Sequence, residues 1–331
     1  MTPKKQFALF FSGYLLFAAP FSHAANERLS LAPKVTSGQS LTYFVRYRSQ
    51  KDVKTESRVV TPMAPDDAQI DAQGILQIQI LNVRTEVGRP ILRARAAFKM
   101  VSADVAAKTA PQQGHDSDET SGQREMKWVE FSIQKDGRAG EVRGLDALYP
   151  EQQQAWQQWV RQFAAAAAFP AGGVKLHQKW KVDETETSPS PIAKLEWVKD
   201  GAYVRDEPCS PSRVDSEGNI SSGDQQPELC AVILTRSRLS QRSSPKDSTP
   251  DDYKLHQLKT AGSTQGENET ISYISRLSGL VVRAKEEAKQ SMDVVIAKTD
   301  GSNRVRYNIQ ASSHTEILLV SVEPSSSSVK P

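Results

Sequence analysis

The chain has 331 residues, with 42 Lys and Arg against 39 Asp and Glu, 38% hydrophobic residues and two cysteines. That apolar share is low for a globular chain and too high for a disordered one, so a modest core carrying long polar loops is expected. Acids and bases alternate, as in Arg46, Arg48, Lys51, Asp52, Lys54 and Glu56, which excludes the one-sided basic surface of a nucleic-acid binder. After the first twenty-odd residues no run reaches the ~20 apolar residues of a membrane-spanning helix.

The N-terminus carries Lys4 and Lys5, an apolar run from Phe7 to Ala19, and Phe21-Ser22-His23-Ala24 with small residues at both recognition positions. This is the pattern of a secretory signal peptide cleaved after Ala24. Losing Lys4 and Lys5 leaves 40 basic residues against 39 acidic ones. No cysteine follows the cut, so no acyl anchor is expected, and the mature chain should be exported, periplasmic or extracellular, with no span after cleavage. In an oxidising compartment the only two cysteines, Cys209 and Cys230, should form a disulfide. A redox or metal pair would want a C-x-x-C spacing or neighbouring ligands, and neither is present.

Between Ser40 and Met100 three runs alternate with period two: Leu41 to Arg48, Ile75 to Val83 and Ile91 to Met100. They predict strands with one wet face, Ser57 to Thr61 adding another and Gly88-Arg89-Pro90 turning the chain between the second and third. From Ser102 to Gln123 the apolar pattern stops, which predicts a long loop. Trp128 to Ile133, the turn Lys135-Asp136-Gly137 and a return around Val142 predict one more hairpin.

The period changes over 151–168, where Trp156, Trp159, Val160 and Phe163 fall at helical spacing between Pro150 and Pro170-Ala171-Gly172-Gly173. An amphipathic helix plugging the sheet is expected. A second series of strands follows: Gln178 to Glu184, Ile192 to Val198, Leu229 to Thr235, Ile271 to Ser275, Leu280 to Arg283, Met292 to Lys298, Val305 to Ile309 and Ile317 to Val320. The gaps Pro208 to Pro227, Ser240 to Asp252 and Thr260 to Glu269 are polar and predict loops, and 324–331 predicts a disordered tail. The fold class is thus mostly β: a curved antiparallel sheet or half-barrel around one central helix, with long polar loops. After the 1–24 leader, the β domain covers 25–323 and could comprise two packed halves, 28–148 and 174–322, joined by the helix.

The grammars of familiar catalytic sites are missing: no H-E-x-x-H, G-x-S-x-G, Walker loop, G-x-G-x-x-G or C-x-x-C occurs. His115, His177, His256 and His314 are scattered and read as surface histidines rather than a zinc set. Asp116, Asp118 and Glu119 lack the rest of a calcium loop, and Glu184 with Glu186 reads as exposed strand-edge acids rather than a glycosidase pair. The sequons at Asn219 and Asn268 serve as loop markers. No metal and no cofactor are expected, and the balance leans against an enzyme.

The leader, the Gly38-Gln39-Ser40-Leu41-Thr42-Tyr43 opening strand, the hairpins, the helix ending in a Pro-Gly loop, the Gln178-Lys179-Trp180 strand and the closing meander around Gly279 together resemble secreted bacterial β-rich proteins of uncharacterised function. In architecture the chain is similar to the periplasmic lipoprotein carriers. That resemblance implies a curved sheet wrapping a helix and sheltering acyl chains, and a non-catalytic envelope protein that binds an apolar or amphipathic ligand such as a lipid. The aromatics to line such a site are Trp156, Trp159, Phe163, Trp180 and Trp197. The alternative is a structural or protein-interaction module docking another envelope protein, and a third reading is a hydrolase with an unfamiliar site.

Overall fold

The computed structural model describes residues 28–56, 67–86, 89–107, 127–133, 140–146, 169–170, 172–184, 191–192, 195–215, 220–223, 226–241 and 249–324, together with Gln153, Trp156 and Val160. These residues form twelve strands and one short helix, α1 (Asp251–Leu255). Ten strands make a single open sheet in the order β4-β3-β2-β1-β12-β11-β10-β9-β6-β5, with every pairing antiparallel. In chain order these are β1 (Ser40–Thr55), β2 (Ala68–Glu86), β3 (Arg89–Ala107), β4 (Val129–Ile133), β5 (Lys179–Glu184), β6 (Leu195–Cys209), β9 (Glu228–Gln241), β10 (Leu258–Ser275), β11 (Val281–Lys298) and β12 (Val305–Glu323). A small hairpin of β7 (Ser212–Val214) and β8 (Ile220–Ser222) stands apart from the sheet.

The mostly β class follows from the alternating runs. Strand length is where the sequence reading needs correction. Thr260 to Glu269 is not a loop but the centre of β10, and Leu280 to Arg283 and Met292 to Lys298 are two ends of β11. Val305 to Ile309 and Ile317 to Val320 are likewise joined in β12. At 18–19 residues these strands are about 60 Å long. Their middles are polar on both faces, so they carry no period-two apolar signal, and strand pairing satisfies their backbone groups instead, on both sides in β11 and β12 and, in β10, on both sides from Glu267 onward. Asn268 therefore lies within a strand and marks no loop. β3 runs seven residues past Met100, and β6 runs through Pro208 to Cys209, shortening two further expected loops.

Of the helix expected over 151–168, Gln153, Trp156 and Val160 are described and are helical. Val160 is fully buried and Trp156 packs partly buried against the same cluster. Among the described residues the only helix running over consecutive positions is α1, whose first two residues fall at the end of the expected loop Ser240 to Asp252, and no helix is long and apolar enough to cross a membrane. The leader, Ser57 to Thr61, the Lys135-Asp136-Gly137 turn, Glu186, Asp116, Asp118, Glu119, His115 and Asn219 lie outside the described residues.

Burial alternates along the long strands: in β11 the even-numbered residues from Val282 to Ile296 are buried or half-buried while Arg283, Lys285, Glu287 and Lys289 are exposed. One face, called inner below, carries the core. Leu41, Tyr43, Ile78, Ile80, Ala94 and Phe131 pack together at one end of β1–β4, and Tyr203, Ala231, Ile233 and Ile274 at the corresponding end of β6, β9 and β10. Met292, Val294, Ile296, Val305 and Tyr307 form a separate cluster at the opposite ends of β11 and β12. The outer face is laced by cross-strand ion pairs, among them Arg48–Asp71 at 2.7 Å, Arg236–Glu269 at 2.8 Å and Arg93–Glu130 at 2.9 Å. Such exposed pairs set register more than they stabilise.

The sheet is managed at both edges. Glu130 of β4 exchanges two backbone hydrogen bonds with Arg143, and the Gly140 amide donates to the Ser132 carbonyl. β5 presents Lys179 and Lys181, exposed lysines of the kind that discourage strand addition.

Two tyrosines give a pH prediction. Burial pushes the Tyr43 phenol up from its ordinary 10.0; burial does the same for Tyr203, reinforced by its hydrogen bond to Asp206. A raised folded value means the neutral phenol is favoured by the fold. Its contribution is complete below pH 10 and is lost as pH rises beyond it. Absorbance titration should show at least two tyrosines that ionise only together with unfolding; free ionisation of every tyrosine in the folded protein would contradict these burials.

Candidate functional site

Register places chosen residues in rows across the inner face, because paired residues point to the same side. One row runs Ser237, Asn268, Ala288, Ser313, Ser49 and Ile70, from β9 to β2. The next runs Thr235, Thr270, Glu286, Thr315, Tyr47 and Ala72. These rows lie between the apolar clusters at the two ends of the sheet. Apart from Ile70 and Glu286 their side chains are short or hydroxylated, and in β10 to β12 they are half-buried rather than sealed into a core. Thr270 Oγ1 lies 3.2 Å from Asn268 Oδ1 and 3.3 Å from Glu286 Oε2, and Gln290 Nε2 donates to Thr264 Oγ1 at 3.4 Å. The middle of the inner face is therefore a polar zone bounded by apolar ends.

Trp197 forms one wall of this zone. It pairs with Leu239 on the neighbouring strand, and its indole reaches across to β10, where a Cβ on Gly266 would sit 3.1 Å from the ring. A side chain at 266 would crowd the indole and Leu239, and glycine leaves them room. Trp180 is placed differently: its ring covers Gly201, meets Phe169 edge-on with centroids 6.2 Å apart, and belongs to the cluster around Tyr203. Trp156 packs near Val160 against the cluster of β1–β4. The three described tryptophans among these candidates thus occupy separate places, and of them only Trp197 borders the polar zone. Trp159 and Phe163 lie outside the described residues.

Cys209 and Cys230 are bonded, with Cα atoms 5.8 Å apart, tying the end of β6 to the start of β9. Among the described residues no group of three or more His, Cys, Asp or Glu side chains is arranged to hold a metal ion. His177 and His256 lie in turns flanking β5 and α1, and His314 lies on β12 within 3.9 Å of Glu287. Glu184 ends β5 at the sheet's edge. The row residues escaped the sequence reading because their period-two pattern alternates polar with polar; the available signal was their regular spacing of short side chains in β10 to β12.

No family model matches the sequence, and no curated protein matches it. Among solved structures the chain is similar to lipovitellin, in a structure of its lipid–protein interactions, at 11% identity and a TM-score of 0.41. That match covers 89% of this chain, which spans only about a quarter (26%) of lipovitellin. It is also similar to an exported-protein candidate of YmcC-like fold from Bacteroides fragilis (8% identity, TM-score 0.29, covering 90% of this chain and 100% of that one). A lipoprotein candidate from Parabacteroides distasonis gives 10% identity and a TM-score of 0.26, with 90% and 100% covered. All three are shallow likenesses.

Proposed function

We propose that this is an exported, non-catalytic envelope protein that holds an amphipathic ligand along the inner face of its sheet, with helix 151–168 as the opposing element. The observation that carries the reading is the division of that face into apolar ends and a half-buried polar middle, which matches a molecule with both kinds of surface. Trp197 supplies an aromatic body beside that middle, and Trp156 with Val160 brings the helical segment against the apolar end. The leader pattern and the Cys209–Cys230 bond support an oxidising compartment.

Native mass spectrometry of the chain from Ala25, exported to a bacterial periplasm and purified without detergent, tests this. Extra mass that leaves on denaturation and is identified as lipid supports the reading. A bare chain that also takes up no phospholipid from detergent-free vesicles overturns it and favours docking of an envelope protein. In the carrying case Trp197→Ala should weaken uptake by about tenfold, since removing a half-buried indole contact costs ~1–2 kcal/mol of binding. Its effect on stability should be small, because Trp197 lies outside the buried clusters.

A further inference from the structure

Residues 28–34 cross one end of the sheet as a strap. Leu29 exchanges two backbone hydrogen bonds with Val174, at 2.8 and 2.9 Å, Leu31 is buried among Tyr203, Ala231 and Ile274, and the Lys34 amide donates to the Ser278 carbonyl at 2.7 Å. Gly279, at a φ of 69°, lets the Ala32 carbonyl lie against it. Large apolar side chains face solvent at this end: Leu277, in the turn between β10 and β11, is 75% exposed, Leu229, near the start of β9, is 44% exposed, and Val322, near the end of β12, is 38% exposed. The Arg276 amide donates to the Leu229 carbonyl at 3.0 Å, which brings the two leucines together. A single exposed leucine needs no explanation, whereas a group of apolar side chains at one end does. Lys34 Nζ donates to the Leu277 carbonyl at 2.9 Å and Arg28 to the Gly173 carbonyl at 3.2 Å, and neither meets a carboxylate among the described residues. Three acids nearby have partners of their own: Asp206 pairs with Arg276 at 3.1 Å, Glu207 with Arg205 at 2.6 Å, and Glu228 accepts the Ser275 hydroxyl. Glu323, exposed at the end of β12, offsets part of the positive charge, so any contact made here rests first on the leucines.

The leader says what covers this end. From the expected cut after Ala24 to Arg28 is four residues, at most ~14 Å of extended chain. While the apolar run from Phe7 to Ala19 sits in the membrane, the end crossed by the strap is the one tethered beside the bilayer. Leu255, 81% exposed on α1, stands at the other end of β10, about 60 Å away. We infer that the strap end is a docking surface for a lipid bilayer. Leu277 and Leu229 enter the headgroup layer, and Lys34 and Arg28 meet the lipid phosphates. The contact is shallow and reversible, since two leucines and two cations bury far less apolar surface than a spanning helix. It rests on the leader reading for the choice of a bilayer and is independent of any ligand on the inner face.

Cosedimentation of the chain from Ala25 with phosphatidylglycerol vesicles and with phosphatidylcholine vesicles tests the inference. Capture by both is expected, stronger on the anionic vesicles and weakened there by salt. L229S/L277S should weaken capture at least tenfold on both kinds of vesicle, and K34Q about fivefold on the anionic vesicles alone. L255S, which removes an exposed leucine from the far end, should leave capture unchanged. All these positions are exposed, and unaltered thermal unfolding of each variant shows that the fold is kept. No capture of the parent by either vesicle, or an equal loss in L255S, overturns the inference. So does a concentration-dependent dimer in sedimentation velocity that L229S/L277S abolishes, because the leucines then cover a second copy of the chain. A chain that docks yet carries no lipid upholds this surface while refuting the inner-face ligand, and a chain that carries lipid without docking does the reverse.

Discussion

Tyr307→Ala is expected to destabilise the protein by about 3–5 kcal/mol, the range for emptying a large aromatic from a sealed core. Tyr307 is 1% exposed and is the largest side chain of the cluster formed with Met292, Val294, Ile296 and Val305. Its position magnifies the effect. β12 lies between β1 and β11, so Tyr307 pairs with Thr55 on one side and Val294 on the other. The cavity would open where the first four strands of the sheet join the rest. Against a domain stability of ~5–15 kcal/mol, this should shift the urea midpoint strongly, read by tryptophan fluorescence. Tyr307→Phe, which keeps the volume, should cost no more than ~1.5 kcal/mol. A Tyr307→Ala loss below ~1 kcal/mol would mean that this cluster is not a sealed core.

The second large effect is reductive. Cys209 and Cys230 are 21 residues apart and close the segment containing β7 and β8 onto the β6–β9 seam. In the chain-entropy account, opening a loop of that size costs ~3 kcal/mol, by enlarging the unfolded ensemble rather than by removing a native contact. Cys230 is fully buried, so alanine is the apt replacement, leaving no hydroxyl to satisfy. The double variant C209A/C230A should unfold at lower urea by that amount and become insensitive to added thiol. The parent should lose a similar amount in dithiothreitol. A parent whose midpoint does not respond to reductant would show that the bond is not formed in solution and would remove one support for export.

The alternating runs at Leu41, Ile75 and Ile91 were legible because one side of each is buried in the cluster of β1–β4. An apolar, period-two signal records a strand with a dry face. The same rule explains what was missed. From Thr260 to Glu269 neither face is apolar, since the inner side carries the buried threonines Thr260 and Thr264 and the half-buried Asn268, and the outer side meets solvent. The segment is held as a strand by hydrogen bonds to β11 along its whole length and to β9 from Glu267 onward. The aromatic candidates show a related limit. Trp156, Trp180 and Trp197 carry the same residue type, yet Gly201 draws the Trp180 ring into one cluster and Gly266 draws Trp197 to the edge of the polar zone.

Sequence by itself determined what is local. The charged apolar leader, the two cysteines, the mostly β class and the strand ends with buried side chains follow from composition and spacing alone. Tertiary structure decided what depends on partners distant in the chain. The pairing of β12 with β1 sets Glu316 against Arg46, 270 positions apart in the numbering. It also brings Arg48, Gln69, Lys289 and Ser312 to one cleft and leaves the short side chains of five strands in one row. The reason is physical: sheet hydrogen bonds and cross-strand neighbours are non-local, so register, and not any stretch of residues, chooses which polar side chains meet.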